Sequence, residues 1–536
     1  MSGDDVSIRV ECLYADRLVP CFTPRPANLD DMLRSVAARL PDHEALVDEG
    51  GRLTYREFDD EVGRIATALH QAGVRAGERV VLFVGNRIEF VLAAFGILRL
   101  GAICVPVGVR QSGAELGYVL TQCAAVGLVF EDIHAARVAA AGDAPALRWR
   151  WRIGGPPLPG EQAFADLRDP QHLPLPVQPI DEQSPAFIMY TSGTTGRPKG
   201  AVLSHLGFFH TAKNYERSFG YTSASRLALS VPISHISGLL AGLVVMLQVG
   251  GCTVIVREFK ARDFLATVAR ERITATAMVP AMYNLCLLEP DFDRLDLSSW
   301  RVGHFGGAPM PEVSIQRLAQ RLPTLRLYNG YGATETTSAA TLSTAPDTVA
   351  YLDSVGTALD CVCIRVLDAQ GREVAPGETG ELFVLSPGNA IGYWDNAQAT
   401  RSEFVSGYWR SGDIGSIDTA RRVRLFDRRK DMIIRGGYKV YSTEVENVLH
   451  RLPGVIEAAV VPAPCPVLGE RVHAFLHGPS RIDLQDVRNQ CAQHLADYKL
   501  PDFLTLVPEP LPRNLNGKLV KQPLREEAAR QARERG

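Results

Sequence analysis

No CxxC pair occurs in this sequence. Its ten cysteines are scattered over 536 residues, and the closest two, Cys361 and Cys363, form a lone CxC. On a strand both would face one side. A zinc site needs further ligands at recognisable spacing, so ordinary core thiols and a reducing, cytoplasmic setting are expected. Positive charge is not in excess either: 57 basic against 60 acidic residues give a net −3. That balance argues against a dedicated nucleic-acid binder, while leaving room for a local basic patch that meets a phosphorylated ligand. The start, MSGDDVSIRV, lacks the apolar stretch of a secretory signal, and the end, QARERG, is not a peroxisomal tripeptide. Internal repeats and low-complexity tracts are missing.

Unbroken apolar runs are missing as well. Val231–Val256 contains no Asp, Glu, Lys or Arg, and ~20 apolar residues can span a bilayer. Pro232, Ser234, His235, Ser237, Gln248 and the pair Gly250–Gly251 interrupt it, however. The pattern predicts a loop, a buried helix around Leu239–Leu247, a glycine turn and the strand CTVIV. Phe90–Val109 is split in the same way by Arg99, Gly101 and Pro106. A soluble, buried reading follows for both, with no transmembrane segment.

What is present is globular. Hydrophobic residues make up 46% and charged residues 22%, within the usual range. The length corresponds to roughly three to four domain equivalents at ~150 residues each, enough to bury large cores rather than remain disordered. ERVVLFVGN reads as a strand, EFVLAAFGILRLG as a helix ending at Gly101, and AICVPVG as a strand. This rhythm argues for α/β layers with parallel strands. Gly142–Gln183, with eight prolines, reads as an irregular surface connection, and the apolar strand PAFIMY follows it. Further on, RRVRLFDRRKDMIIRGGYKVY packs eight Arg or Lys residues among short strands and a Gly–Gly turn. Thr443 with Glu446 predicts a capping box opening the helix EVENVLHRL, and VIEAAVVPAP reads as a strand. The last hundred or so residues form a small, separate α+β unit.

The strongest chemical signal follows PAFIMY: TSGTTGRPKG, residues 191–200. Four hydroxyls, two interior glycines and a cation lie within ten residues. Glycines turn backbone N–H groups inward, and hydroxyls and Lys199 add donors, as a polyphosphate requires. Thr191, Ser192, Gly193, Thr194, Thr195, Gly196 and Lys199 are the candidate phosphate-binding residues. The loop is not a Walker A sequence, because Pro198 stands where glycine should precede the lysine. Gly330, Gly332 and Glu335 likewise miss the third glycine of a dinucleotide fingerprint.

With this loop the sequence resembles the adenylate-forming enzymes: acyl-CoA synthetases, firefly-type luciferases and the adenylation domains of peptide synthetases. The resemblance covers nearly the whole chain. After the loop come PISHISG (232–238), GGAPM (306–310), YNGYGATET (328–336), SVGTA around Gly356, YWRSGD ending at Asp413, DRRKDMIIRGGYKV (427–440) and LPRNLNGKLVK with Lys518. Eight matches in the family's order are far more specific than any one of them.

The resemblance implies an α/β large N-terminal domain built of several layered subdomains (1–427), a hinge at 428–432 centred on Lys430, and a small mobile α+β C-terminal domain (433–536). It also implies residue roles. Tyr331 would stack on adenine, and Gly306, Gly307 and Ala308 would approach the base. Thr334 would contact the α-phosphate and Glu335 would hold Mg²⁺, a hard cation suited to oxygen ligands. Asp413 and Arg428 would bind the ribose. Lys518 would be the catalytic lysine bridging the attacking carboxylate and the phosphates, with Glu335, Thr194 and His235 also placed at the chemistry. The acyl pocket would draw on His235, Ser237, Gly238, Ala241, Pro280, Gly306 and Gly332, with the small residues leaving volume. Gly436 and Gly437 would leave room for a pantetheine arm.

The implied reaction is ATP-dependent activation of a carboxylic acid to an acyl adenylate, then thioester formation with coenzyme A. The same thiol on a separate carrier protein is the alternative acceptor. Ser234–Ser237 lacks the Asp that would pair an amino-acid ammonium, so a neutral hydrophobic acid (aromatic, alicyclic or medium to long acyl) is expected. A luciferase-like oxidation is disfavoured by the missing peroxisomal ending, and a non-enzymatic adenylate-binding role by the retention of Lys518, Glu335 and Asp413.

Overall fold

The computed structural model describes residues 6–191, 197–308, 310–429, 431–478, 482–513 and 519–535. The chain is mixed α/β. It divides by compactness into two units: residues 1–364 with 384–410, and residues 365–383 with 411–536. The motif-based limits, 1–427, 428–432 and 433–536, fall at other residues because the segments around Asp413 and Arg428 pair as antiparallel strands inside the second unit. Two hydrophobic cores of that unit nevertheless draw no residue from before Ile433 among the described residues.

The first unit is built on two large sheets. Among the described residues one has eight strands and the other nine, with parallel strands at the centre and antiparallel ones at one edge of the first and both edges of the second. Each has a point where the winding reverses. In the first sheet Arg79–Phe83 pairs with both Ile103–Pro106 and Gly127–Glu131. The helix Ile88–Arg99 leads to the one and Gly113–Gln122 to the other, and they enter different cores on opposite faces. In the second sheet Arg226–Leu229 pairs with both Cys252–Ile255 and Ala275–Met278. The helical segment Ser237–Val249 covers one face, and Ala261–Arg270 the other. Ligands of such sheets bind outside the carboxyl ends of the strands at these reversals, and PISHISG stands at the second.

The Val231–Val256 stretch folds as expected: a loop, a helical run and, after Gly250 at φ 75°, the strand Cys252–Ile255. Its first part, Ser237–Val244, is a π-helix, a form that recurs at functional sites. No helix among the described residues is long and apolar enough to cross a membrane.

Several expectations need correction. The proline-rich stretch is not wholly irregular. Trp149–Ile153 adds a parallel strand to the first sheet, with Trp151 fully buried, because WRWRI carries the alternation and bulk that outweigh the flanking prolines. The helix at 442 is not opened by a Thr443–Glu446 capping box. It runs Ser442–Leu449 from Tyr441 without a side-chain cap, and Glu446 instead accepts from the Val460 N–H and pairs with Lys521 at 2.7 Å. Cys361 precedes the strand Cys363–Leu367 at φ 64°, so the two cysteines do not share it. All ten cysteines are unpaired.

The second unit contains the antiparallel pair Glu457–Cys465 and Gly469–His477, with Phe503–Val507 parallel to the latter. Ala459 and Val461 face one core and Ala458 and Val460 the other, as a two-residue period requires. The hairpin Ile433–Arg435 to Tyr438–Val440 turns through Gly436 and Gly437 at φ 57° and 89°, a turn that needs two residues with positive φ.

Candidate functional site

In the first unit the motifs collect where the sheets end. Thr191 closes the strand Pro185–Thr191 of one sheet. Leu229, Met278, Gly306 and Ala333 close neighbouring strands of the other. His235 and Ser237 follow the first of these, Pro280 the second, and Gly307 and Ala308 the third. Thr334 and Glu335 follow the fourth in a short 3₁₀ turn.

The two sheets meet chemically at Glu335. Thr191 Oγ1 donates to Glu335 Oε1 at 3.1 Å, and the Tyr393 hydroxyl lies 3.0 Å from the same oxygen. That hydroxyl also lies 2.5 Å from Glu403 Oε2, and Glu403 forms an ion pair with Lys199. The Lys199 ammonium sits 4.3 Å from the Tyr393 ring centroid, a cation–π position. Burial, aided by both carboxylates, pushes the Tyr393 phenol far above its usual range, so it stays protonated. Thr191, Lys199 and Glu335 are thus brought together as the motif order implies. Tyr393 and Glu403 were missed. The tyrosine lies in the short strand Gly392–Tyr393 and the glutamate ends the helix Ala397–Glu403, and only the tertiary fold brings them to a loop some two hundred residues earlier.

Among the described residues no three His, Cys, Asp or Glu side chains gather as a metal cage. Glu335 and the Thr191 hydroxyl supply oxygen donors, a set that suits a hard divalent cation bound chiefly through substrate phosphates.

After the reversal strand of the second sheet, His235 Nδ1 lies 3.0 Å from Ser237 Oγ, and the Ser237 N–H donates to the same nitrogen. The loop that carries them is held by Asn86, another residue the sequence reading missed. Its amide donates to the Val231 and Val256 carbonyls at 3.0 and 3.1 Å and accepts from the Ile233 N–H at 2.8 Å. Asn86 follows the reversal strand of the first sheet, so it ties the two reversal points together. Ala241 is buried in the π-helix, and Pro280 is buried at the first position of its own helix. A Cβ on Gly238 would lie 2.3 Å from the Pro232 carbonyl oxygen. Close backbone packing therefore accounts for that glycine without pocket volume. Gly306 and Gly332 are similarly close to neighbouring strands, at 2.6 Å from Gly330 O and 1.9 Å from Ser338 O. Gly307 and Ala308 are exposed, and Tyr331 and Thr334 are half-buried.

In the second unit Asp413 and Arg428 are register partners on adjacent strands, with Arg428 Nε 3.1 Å from Asp413 Oδ1. The basic segment around them is largely neutralised within that unit. Arg422 and Arg424 pair with Asp418, Arg429 with Glu381 and Arg435 with Asp502. Ser192, Gly193, Thr194, Thr195, Gly196, Lys430 and Lys518 lie outside the described residues.

Residues 33–394 match the AMP-binding enzyme family and residues 444–518 the AMP-binding enzyme C-terminal domain. A long-chain-fatty-acid–CoA ligase of Mycobacterium tuberculosis is 32% identical over 93% of this chain and 98% of its own length. A feruloyl-CoA synthase of Amycolatopsis is 32% identical over 91% and 96%. The anthranilate CoA ligase AuaEII, solved with anthranoyl-AMP, superposes with a TM-score of 0.87 at 26% identity over 95% of this chain and 99% of that one. On this full-length agreement, the chain belongs to the AMP-binding, adenylate-forming enzyme family.

Proposed function

We propose that this protein is an AMP-forming ligase that joins a hydrophobic carboxylic acid to coenzyme A through an acyl adenylate. The observation that carries the reading is the cluster Thr191–Glu335–Tyr393–Glu403–Lys199 at the carboxyl ends of two sheets. It supplies a hydroxyl, an ammonium and a held carboxylate where a nucleotide triphosphate would lie. Relatives named for long-chain fatty and feruloyl acids support a hydrophobic acid and coenzyme A as acceptor, ahead of a carrier protein.

Hydroxide is a poor leaving group, so the acid is first activated. The carboxylate attacks the α-phosphorus of ATP and pyrophosphate leaves, with Lys199, the phosphate-loop hydroxyls and Lys518 holding the charges in line. Magnesium, held by Glu335 and the phosphates, would neutralise charge on the leaving pyrophosphate. Tyr331 and Gly306–Ala308 seat the adenine, and Asp413 and Arg428 the ribose. His235 stands at the mouth of the acyl pocket. The small C-terminal domain then turns about Lys430, withdraws Lys518 and brings Gly436–Gly437 to a pantetheine path. The thiolate attacks the acyl carbonyl and AMP leaves. A cytoplasmic setting accords with ten unpaired thiols.

Lys518→Ala tests the assignment. It should abolish acid-dependent pyrophosphate exchange while largely sparing thioester formation from supplied acyl adenylate. Equal loss of both half-reactions would overturn it.

A further inference from the structure

We propose that His304 reads a neutral hydrogen-bonding group, a hydroxyl or carbonyl, on the ring of a cyclic acyl substrate. The inference rests on the ligase reading above and names its substrate more narrowly.

His304 lies on the strand Val302–Gly306, two residues and thus ~7 Å inward from Gly306. Strand alternation puts it with Val302 on the face covered by the π-helix, and Phe305 on the other. Aromatic rings wall it in. Tyr215 and Phe219 stand 5.3 and 5.5 Å away, centroid to centroid, and Phe219 in turn stands 4.9 Å from Tyr328, the register partner of His304. The residue is only 8% exposed, and its Nε2 has no hydrogen-bond partner. The Tyr215 hydroxyl does not serve it, being committed to Ser338 Oγ at 3.0 Å.

The direction of that nitrogen is set by a glycine. A Cβ on Gly330 would lie 2.6 Å from His304 Nε2. Gly330 is the register partner of Gly306, so the imidazole leans over the glycine pair at the ligand-binding edge of the sheet. Any side chain at 330 would displace it.

A buried nitrogen without a partner forfeits the hydrogen bond it had in water, and folded proteins keep few of them. An acyl group carrying a polar atom at this depth would satisfy it. The aromatic walls favour a flat or alicyclic ring over a loose chain. They also disfavour a second carboxylate, whose charge would be stranded among apolar groups. Burial holds the imidazole neutral, with its pKa pushed down to about 4, so it offers one donor or one acceptor and no charge.

The test uses the full chain and matched acids in pyrophosphate exchange: benzoate against 4-hydroxybenzoate, and cyclohexanecarboxylate against 4-oxocyclohexanecarboxylate. The wild type should favour a hydroxy or oxo member in kcat/KM. His304→Leu should cut that preference roughly ten- to hundredfold while still exchanging with the unsubstituted acids. His304→Gln, which keeps a polar end, should retain part of it and reads the same ratio if the leucine variant does not fold. An unchanged ratio in the variants, or a wild type that favours the unsubstituted acids, would overturn the role of His304 alone. Exchange with straight-chain fatty acids but with none of these ring acids would also overturn the His304 proposal, and no exchange with any acid, fatty acids included, would overturn the ligase reading with it.

Discussion

The Tyr393 hydroxyl stands 3.0 Å from Glu335 Oε1 and also reaches Glu403 Oε2 at 2.5 Å. One phenolic proton therefore faces two carboxylates, and the Lys199 ammonium closes the set through its ion pair with Glu403. The Tyr393 hydroxyl fixes where the Glu335 carboxylate points.

Tyr393→Phe keeps the ring under Lys199 and removes only the hydroxyl. Losing a hydrogen bond to a charged group costs about 1.5–3 kcal/mol. The apparent KM for magnesium–ATP should rise roughly tenfold or more, with kcat for exchange changing far less. A titration of pyrophosphate exchange against magnesium at fixed ATP checks this, and equal effects on both parameters would exclude a positioning role.

Gly356 in SVGTA is held by sterics rather than by substrate. Its φ is 86°, and a Cβ there would lie 2.0 Å from the Leu342 carbonyl carbon and oxygen. Backbone cannot yield as a side chain can. Gly356→Ala should destabilise the first unit by about 3 kcal/mol or more, visible in denaturant melts as a lower midpoint.

His210 links stability to pH. Its Nδ1–H donates to the Leu206 carbonyl at 3.0 Å, and its Nε2 accepts from the Phe22 N–H at 3.0 Å. That arrangement needs the neutral ring. Burial pushes its pKa down from 6.5 to about 4, and burial pushes His205 to about 3. Between pH 6.5 and 4 the unfolded chain takes up protons that the folded one refuses, so stability present above pH 6.5 is lost as pH falls. The urea midpoint should drop across this window, and His210→Gln should flatten the slope measured there. A midpoint constant from pH 7 to 4 would contradict it.

Local pattern carried much of the fold. The strands Arg79–Phe83 and Ile103–Pro106, the helix between them and the interrupted run at 231–256 were legible because alternation, periodicity and turn residues act over a few positions. WRWRI was obscured by neighbouring prolines. Glu446 was misassigned because its partners, Val460 N–H and Lys521, lie far along the chain.

The sequence by itself determined the family and the order of its eight motifs, because glycines, hydroxyls and charges at fixed spacing constrain local backbone chemistry. It also placed the phosphate loop directly after the strand PAFIMY, where parallel sheets present their ligand edge. Only the tertiary structure decided that Tyr393 and Glu403 join Thr191, Lys199 and Glu335, that Asn86 holds the PISHISG loop, and that His304 Nε2 is buried above Gly330. Those relationships span tens to hundreds of residues. They follow from which strand ends meet, and no local pattern records that.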